Sequence, residues 1–189
     1  MKKIIIVAIV YTISRNLMGF EGNTMIIDQF RLGVEKLDEG KYEESLKIFE
    51  ELSYKDKQSF YVKYALGYTK MHMGNYDEAL DIFKEIVSKM PLLEEAWFQI
   101  RMCYEKLNRL DEAKVFFESS VKNYPYLISV NYNLATVYVK LAAKEKNEDK
   151  KKKLIAESEK YYKKTISIKK DYVIAYTGLG VCNYLKGDF

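Results

Sequence analysis

MGNYDEALDIF, residues 73–83, decides the fold, because the chain carries close relatives of it at regular distance on either side. EGKYEESLKIF stands at 39–49 and LNRLDEAKVFF at 107–117, which places Gly40, Gly74 and Asn108 34 positions apart. Tyr42, Tyr76 and Leu110 keep that register, as do Ser45, Ala79 and Ala113, and Phe49, Phe83 and Phe117. A fixed period in this range marks a solenoid, in which no unit buries its apolar face alone and each must stack on its neighbours.

On either side of this stretch, apolar residues fall at helical spacing in two runs separated by a Gly-containing turn. Tyr61, Tyr64, Leu66, Tyr68 and Met71 form one face of a first helix, and Ala79, Leu80, Phe83, Ile86 and Val87 one face of a second. Gly74 between them supplies the positive φ that ends a helix. Asp77-Glu78 puts negative charge on the next helix's first turn, and Glu43-Glu44 and Asp111-Glu112 repeat the arrangement. Pro91 and Pro125 follow second helices that they cannot continue.

At this point the chain resembles the tetratricopeptide repeat family. Trp97, Ile100, Arg101, Tyr104, Ala113, Phe117 and Pro125 carry the family pattern of the third unit. Leu32-Gly33, Leu66-Gly67, Leu134-Ala135 and Leu179-Gly180 occupy its Leu-Gly step elsewhere. The resemblance implies an all-α, right-handed α-solenoid over 25–189, with units 26–59, 60–93, 94–127 and 128–172 and a half unit 173–189. Small residues at that step are expected where the two helices of a unit cross closely. Arg101 departs from this; its stem is expected along the crossing, with its guanidinium reaching solvent or an acid. Cys103 and Cys182 fall at one register position two repeats apart, too far for a disulfide, and are expected to be buried free thiols.

Composition agrees with a folded chain: 48% apolar, 31% charged and two prolines among 189 residues. A net charge of +4 over 31 basic and 27 acidic residues is too weak to demand a nucleic-acid partner. Residues 1–24 lie outside the repeat. Lys2-Lys3 ahead of an apolar run from Ile4 to Val10 has the layout of a secretory signal peptide or tether and is too short to span a bilayer. Export or envelope association is favoured over the cytoplasm on this ground, with membrane contact through 1–13. The alternative is an apolar cap on the first repeat.

Two departures shape the C-terminal third. The fourth unit is 11 residues longer than its neighbours, through the insert AAKEKNEDKKKK at 142–153, so both of its helices are expected to lengthen. The last first-type helix, about Tyr172 to Leu185, has no charge between Asp171 and Lys186, whereas a closing helix needs a polar outer face. A fragment of a longer array, or self-association through the incomplete last repeat, is the expectation.

The chemistry of enzymes is missing. His72 is the sole histidine, so a catalytic triad or metal site would rest on it alone, and it is expected against the carbonyls at its helix end. Six of nine glycines fall at two repeat positions, leaving no phosphate-cradling loop. No catalytic residue, metal site, cofactor or small-molecule substrate is expected. The lysines at 150–153 lack interleaved aromatics for stacking on bases and read as solvated helix ends.

The resemblance further implies a concave groove lined by first helices: Ile27, Phe30, Val34 and Leu37; Tyr61, Tyr64, Tyr68, Met71 and His72; Glu95, Phe98, Met102, Glu105 and Lys106; Ser129, Tyr132, Thr136 and Val139. Phe30, Val34, Ala65, Glu95 and Gln99 at the family's clamp positions exclude its basic carboxylate clamp. An aromatic and Met-rich wall suits an apolar or aromatic peptide or protein segment. The expected partner-binding residues are Phe30, Val34, Tyr61, Tyr64, Tyr68, Met71, Phe98, Met102, Tyr132 and Thr136. The expected function is a non-enzymatic scaffold for protein–protein interaction. The alternatives are an envelope-associated assembly factor and the repeat portion of a longer enzyme.

Overall fold

Each repeated glycine or asparagine ends a helix in the same way. Gly40 (φ 77°), Gly74 (φ 87°) and Asn108 (φ 56°) are left-handed. The next backbone N–H reaches back to a carbonyl of the last turn: Lys41 to Lys36, Asn75 to Lys70 and Arg109 to Tyr104, each at 2.9 Å. Glycine meets no Cβ penalty there, and asparagine tolerates the left-handed region better than other residues. The period in the sequence is therefore a period of helix stops.

The computed structural model describes residues 24–57 and 59–187. The expected signal or tether lies outside them apart from Thr24, as does the chain end at 188–189. Among the described residues there is no strand. The helices are α1 (Thr24–Asp38), α2 (Tyr42–Lys55), α3 (Phe60–His72), α4 (Tyr76–Lys89), α5 (Glu94–Lys106), α6 (Leu110–Asn123), α7 (Ile128–Lys144), α8 (Glu148–Ile168) and α9 (Val173–Lys186). The chain falls into two compact halves, up to Lys89 and from Met90. Each is a run of helices joined by short turns.

In the N-terminal half the second helices carry the core. Phe49 on α2 and Phe83 on α4 are wholly buried. Each burial contributes on the order of 2–3 kcal/mol. Phe49 seats against Gly33, where a Cβ would lie 2.8 Å from the ring, and Phe83 against Gly67, at 3.1 Å. The Leu-Gly step is thus small because a ring occupies the crossing. Ser45 donates to the Gly33 carbonyl at 2.9 Å and lies 3.3 Å from the Thr69 hydroxyl, linking three helices through buried polar atoms.

The C-terminal half repeats this device in its lengthened hairpin. Ser158 donates to the Ala135 carbonyl at 2.8 Å and accepts from Cys182 at 3.4 Å. Both cysteines are buried thiols outside any disulfide. A second device staples the turns between hairpins. Trp97 donates to the Pro91 carbonyl at 2.7 Å, Asn131 to that of Pro125 at 3.1 Å, and Tyr176 to that of Lys170 at 2.9 Å, always six residues back. Three different side chains keep one donor in register, satisfying a carbonyl freed where the preceding helix has ended.

The insert lengthens both helices of its hairpin: α7 has 17 residues and α8 21, against 13 in α5 and 14 in α6. Asn147 caps α8 by accepting from the Lys150 backbone N–H at 3.0 Å. One expectation needs correction. A Cβ at Gly180 would meet nothing within 4 Å, whereas at Gly178 it would lie 2.3 Å from the Tyr162 ring. The close crossing of α9 is therefore with α8 through Gly178. Val173, Ile174, Tyr176, Val181 and Tyr184 on α9 are exposed.

Candidate partner-binding surface

In the N-terminal half the expected groove residues separate by depth. Phe30 is 4% exposed, its ring 5.4 Å from that of Phe49, and Val34 packs in the same cluster. Tyr64 is 5% exposed with an edge contact to Phe83 at 5.4 Å. These three are core residues and offer little to a partner, because α1 and α3 turn them toward the rings of the second helices. Tyr61, Tyr68 and Met71 remain half-buried. Tyr68 stacks on Tyr64 at 6.3 Å and lies 4.7 Å from His72, which also has the Tyr42 ring at 5.4 Å. His72 is thus held by two rings. Burial, with the Asp38 charge adding to it, pushes the Tyr68 phenol above its ordinary pKa.

In the C-terminal half Phe98 stands out on α5 at 42% exposure, with Met102, Tyr132 and Thr136 half-buried. Beneath it lies Arg101, only 5% exposed, its guanidinium carbon 4.7 Å from the centre of the Phe98 ring. Arg101 donates to Asn133 Oδ1 at 2.8 Å and pairs with Glu105 one turn on. Lys140 reaches the other Glu105 oxygen at 3.1 Å, and Asn133 donates to the Ser129 carbonyl at 2.8 Å. Arg101 therefore finds an acid, as its departure from the small-residue pattern suggested, but inside the protein. A buried ion pair persists only when such hydrogen bonds complete it.

Beside this network the rings of Tyr132, Tyr162 and Tyr172 form a second cluster, with Tyr132 5.8 Å from Tyr162 and 5.5 Å from Tyr172. Thr136 and the Tyr162 hydroxyl are 3.1 Å apart. Burial pushes the phenols of Tyr162 and Tyr172 up to about 12. Glu94 is also raised, by burial and by neighbouring Glu95, with Lys169 opposing. The surface thus presents the exposed Phe98 ring with Met102 one turn on, beside the buried Arg101–Glu105 pair. Among the described residues no group of three or more His, Cys, Asp or Glu is placed to hold a metal ion. No described helix is long and apolar enough to cross a membrane.

Asn133, Lys140 and Tyr162 were not legible in the sequence as part of this surface. The Arg101/Glu105 spacing of four was a visible signal of an intrahelical pair; the cross-helix partners left none.

A family model described as "Psidin, N-terminal TPR repeats region" matches residues 34–169. The chain belongs to the tetratricopeptide repeat family. Solved structures of this family share its TPR solenoid fold. The chain is similar to TTC0263, a thermophilic TPR protein of Thermus thermophilus, with 18% identity, TM-score 0.60, and coverage of 86% of this chain and 84% of that one. It is similar to MamA 41-end of Desulfovibrio magneticus RS-1, with 18% identity, TM-score 0.58 and 88% of both chains covered. A TPR protein of Parabacteroides merdae ATCC 43184 matches at 15% identity and TM-score 0.61, over 99% of this chain and 69% of that one. No curated protein matches. TPR arrays are, as a class, protein-interaction scaffolds.

Proposed function

We propose that this TPR protein holds a segment of a partner protein on the C-terminal aromatic surface, with Phe98 as the anchor. The observation that carries the reading is the pairing of an exposed ring with a buried cation: Phe98 is 42% exposed while Arg101 beneath it is 5% exposed. A ring seated on a fixed guanidinium loses little freedom on binding, so more of its contact energy appears as affinity. Met102 beside it adapts to the shape of an incoming apolar side chain. Tyr61, Tyr68 and Met71 give the N-terminal half a smaller surface of the same kind. The test is affinity capture with the full chain, compared with Phe98→Ala and with Val115→Ala, which removes a 64% exposed side chain from α6. The reading expects Phe98→Ala alone to lose its captured protein at unchanged helicity; equal capture by all three proteins overturns it.

A second reading, self-association, is favoured by the apolar face of α9, where Val173 is 72% and Tyr184 67% exposed and Gly180 faces open space. It expects the sedimentation coefficient to rise with concentration and Val181→Glu to abolish the rise. A concentration-independent coefficient removes it.

A further inference from the structure

The insert that lengthens α7 and α8 also builds a cleft away from the aromatic surface. It is an open cavity of about 840 Å³ between the start of α6, the end of α7 and the start of α8. Lys114, Lys144, Lys146, Lys150 and Lys153 line it, against two carboxylates, those of Asp111 and Glu145. Glu145 is already engaged, because one of its oxygens accepts the backbone N–H groups of Lys146 and Asn147 at 2.9 Å each. Lys144 is oriented by the Asn108 side-chain oxygen at 2.7 Å. That asparagine is the left-handed helix stop of the preceding hairpin, so the two turns are tied together at the cleft. Leu110, Leu141 and Leu154 line it as well, Leu110 buried and Leu141 and Leu154 half-buried.

We infer that this cleft binds an acidic peptide segment whose carboxylates meet the lysines and whose interspersed apolar side chains rest on the leucines. Charge complementarity argues for an anionic partner, since five ammonium groups face two carboxylates. The leucines argue for a peptide, because a phosphate backbone has no use for apolar surface, and no aromatic ring is among the described residues that line the cleft to stack on a base. Lysines act as point charges on flexible stems and suit carboxylates of variable spacing better than a fixed bidentate geometry. The cleft is separate from the Phe98 surface, so the two sites are testable apart.

The experiment titrates a fluorescently labelled synthetic peptide, four repeats of Glu-Glu-Leu, with the full chain and follows anisotropy. The triple variant K146Q/K150Q/K153Q is expected to weaken binding roughly tenfold, the sum of three exposed charge contacts. The matching triple arginine variant is expected to restore it, and Phe98→Ala to leave it unchanged. Circular dichroism of each variant keeps loss of fold distinct from loss of charge. A Glu-Glu-Gly peptide is expected to bind more weakly, through loss of the leucine contacts. Unchanged binding by the glutamine variant overturns the inference. So does equal affinity for the glycine peptide, or lysine-dependent binding of phosphatidylserine vesicles or single-stranded DNA without binding of the Glu-Glu-Leu peptide.

Discussion

Replacing Arg101 by alanine asks whether the buried cation holds the candidate surface together or merely fills space. The backbone accepts the change, since the equivalent residue of the next hairpin is Ala135, itself wholly buried. What is lost is polar. Removing one member of a buried pair costs about 3–5 kcal/mol when the other is stranded. Glu105 is not stranded, because Lys140 remains 3.1 Å away, and its side chain keeps 16% exposure. Asn133 Oδ1 loses its donor, a cost of about 1–3 kcal/mol for a buried acceptor. The net expectation is a loss of about 2–4 kcal/mol. With an ordinary urea dependence that lowers the midpoint by roughly 1–2 M. The single tryptophan, Trp97, is 2% exposed and one turn before Arg101, so its fluorescence follows unfolding of this half. Lys140→Gln is the control: the lysine is 42% exposed, and its loss is expected to cost at most about 1 kcal/mol. A midpoint that is unchanged or raised in Arg101→Ala makes the arginine a replaceable filler.

Gly178→Ala is expected to destabilise by about 1–2 kcal/mol, because its Cβ would lie 2.3 Å from a Tyr162 ring that is 3% exposed. Gly180→Ala, two residues away in the same helix with open space, is expected to stabilise by about 0.5–1 kcal/mol; urea midpoints separate the two signs. Asn108 sits at φ 56°, so Asn108→Gly is expected to be neutral or slightly stabilising and Asn108→Val to cost about 1–2 kcal/mol, read by thermal unfolding. The Tyr162 phenol is raised to about 12 in the folded chain. The unfolded chain therefore ionises first as pH rises, and the stability from the neutral ring is complete below about pH 10 and lost on the way to about 12, at roughly 1.4 kcal/mol per pH unit. Tyr162→Phe is expected to make that part of the urea-midpoint profile less steep, with Tyr172 still contributing over the same range; an equally steep profile would refute the assignment.

The helices were legible because their signals are local. Gly40, Gly74 and Asn108 mark stops, acid pairs mark starts, and Phe49, Phe83 and Phe117 mark the face that is buried. The candidate surface was legible only in outline. Register placed Phe30, Val34 and Tyr64 on the inner wall, but whether a side chain there meets solvent or Phe49 and Phe83 depends on how closely two helices approach. Register likewise assigned a crossing role to Gly180, yet that role requires a helix opposite, and only Gly178 has one. Arg101 announced itself by breaking the pattern and kept a partner, Glu105, at helical spacing. Asn133 and Lys140 came from another helix, where no sequence spacing points to them. The stapling donors were hidden for a different reason: Trp97, Asn131 and Tyr176 share a function but no resemblance as residue types.

Photo-cross-linking from position 98 reports directly on whether Phe98 touches a partner protein. With Phe98→p-benzoylphenylalanine in the full chain, expressed in the native cell, ultraviolet light is expected to trap a defined protein adduct that disappears when Arg101 is also alanine. The same probe in place of Val115 is expected to trap none. Adducts of equal yield from both positions, or no adduct from position 98, would mean that Phe98 anchors no partner.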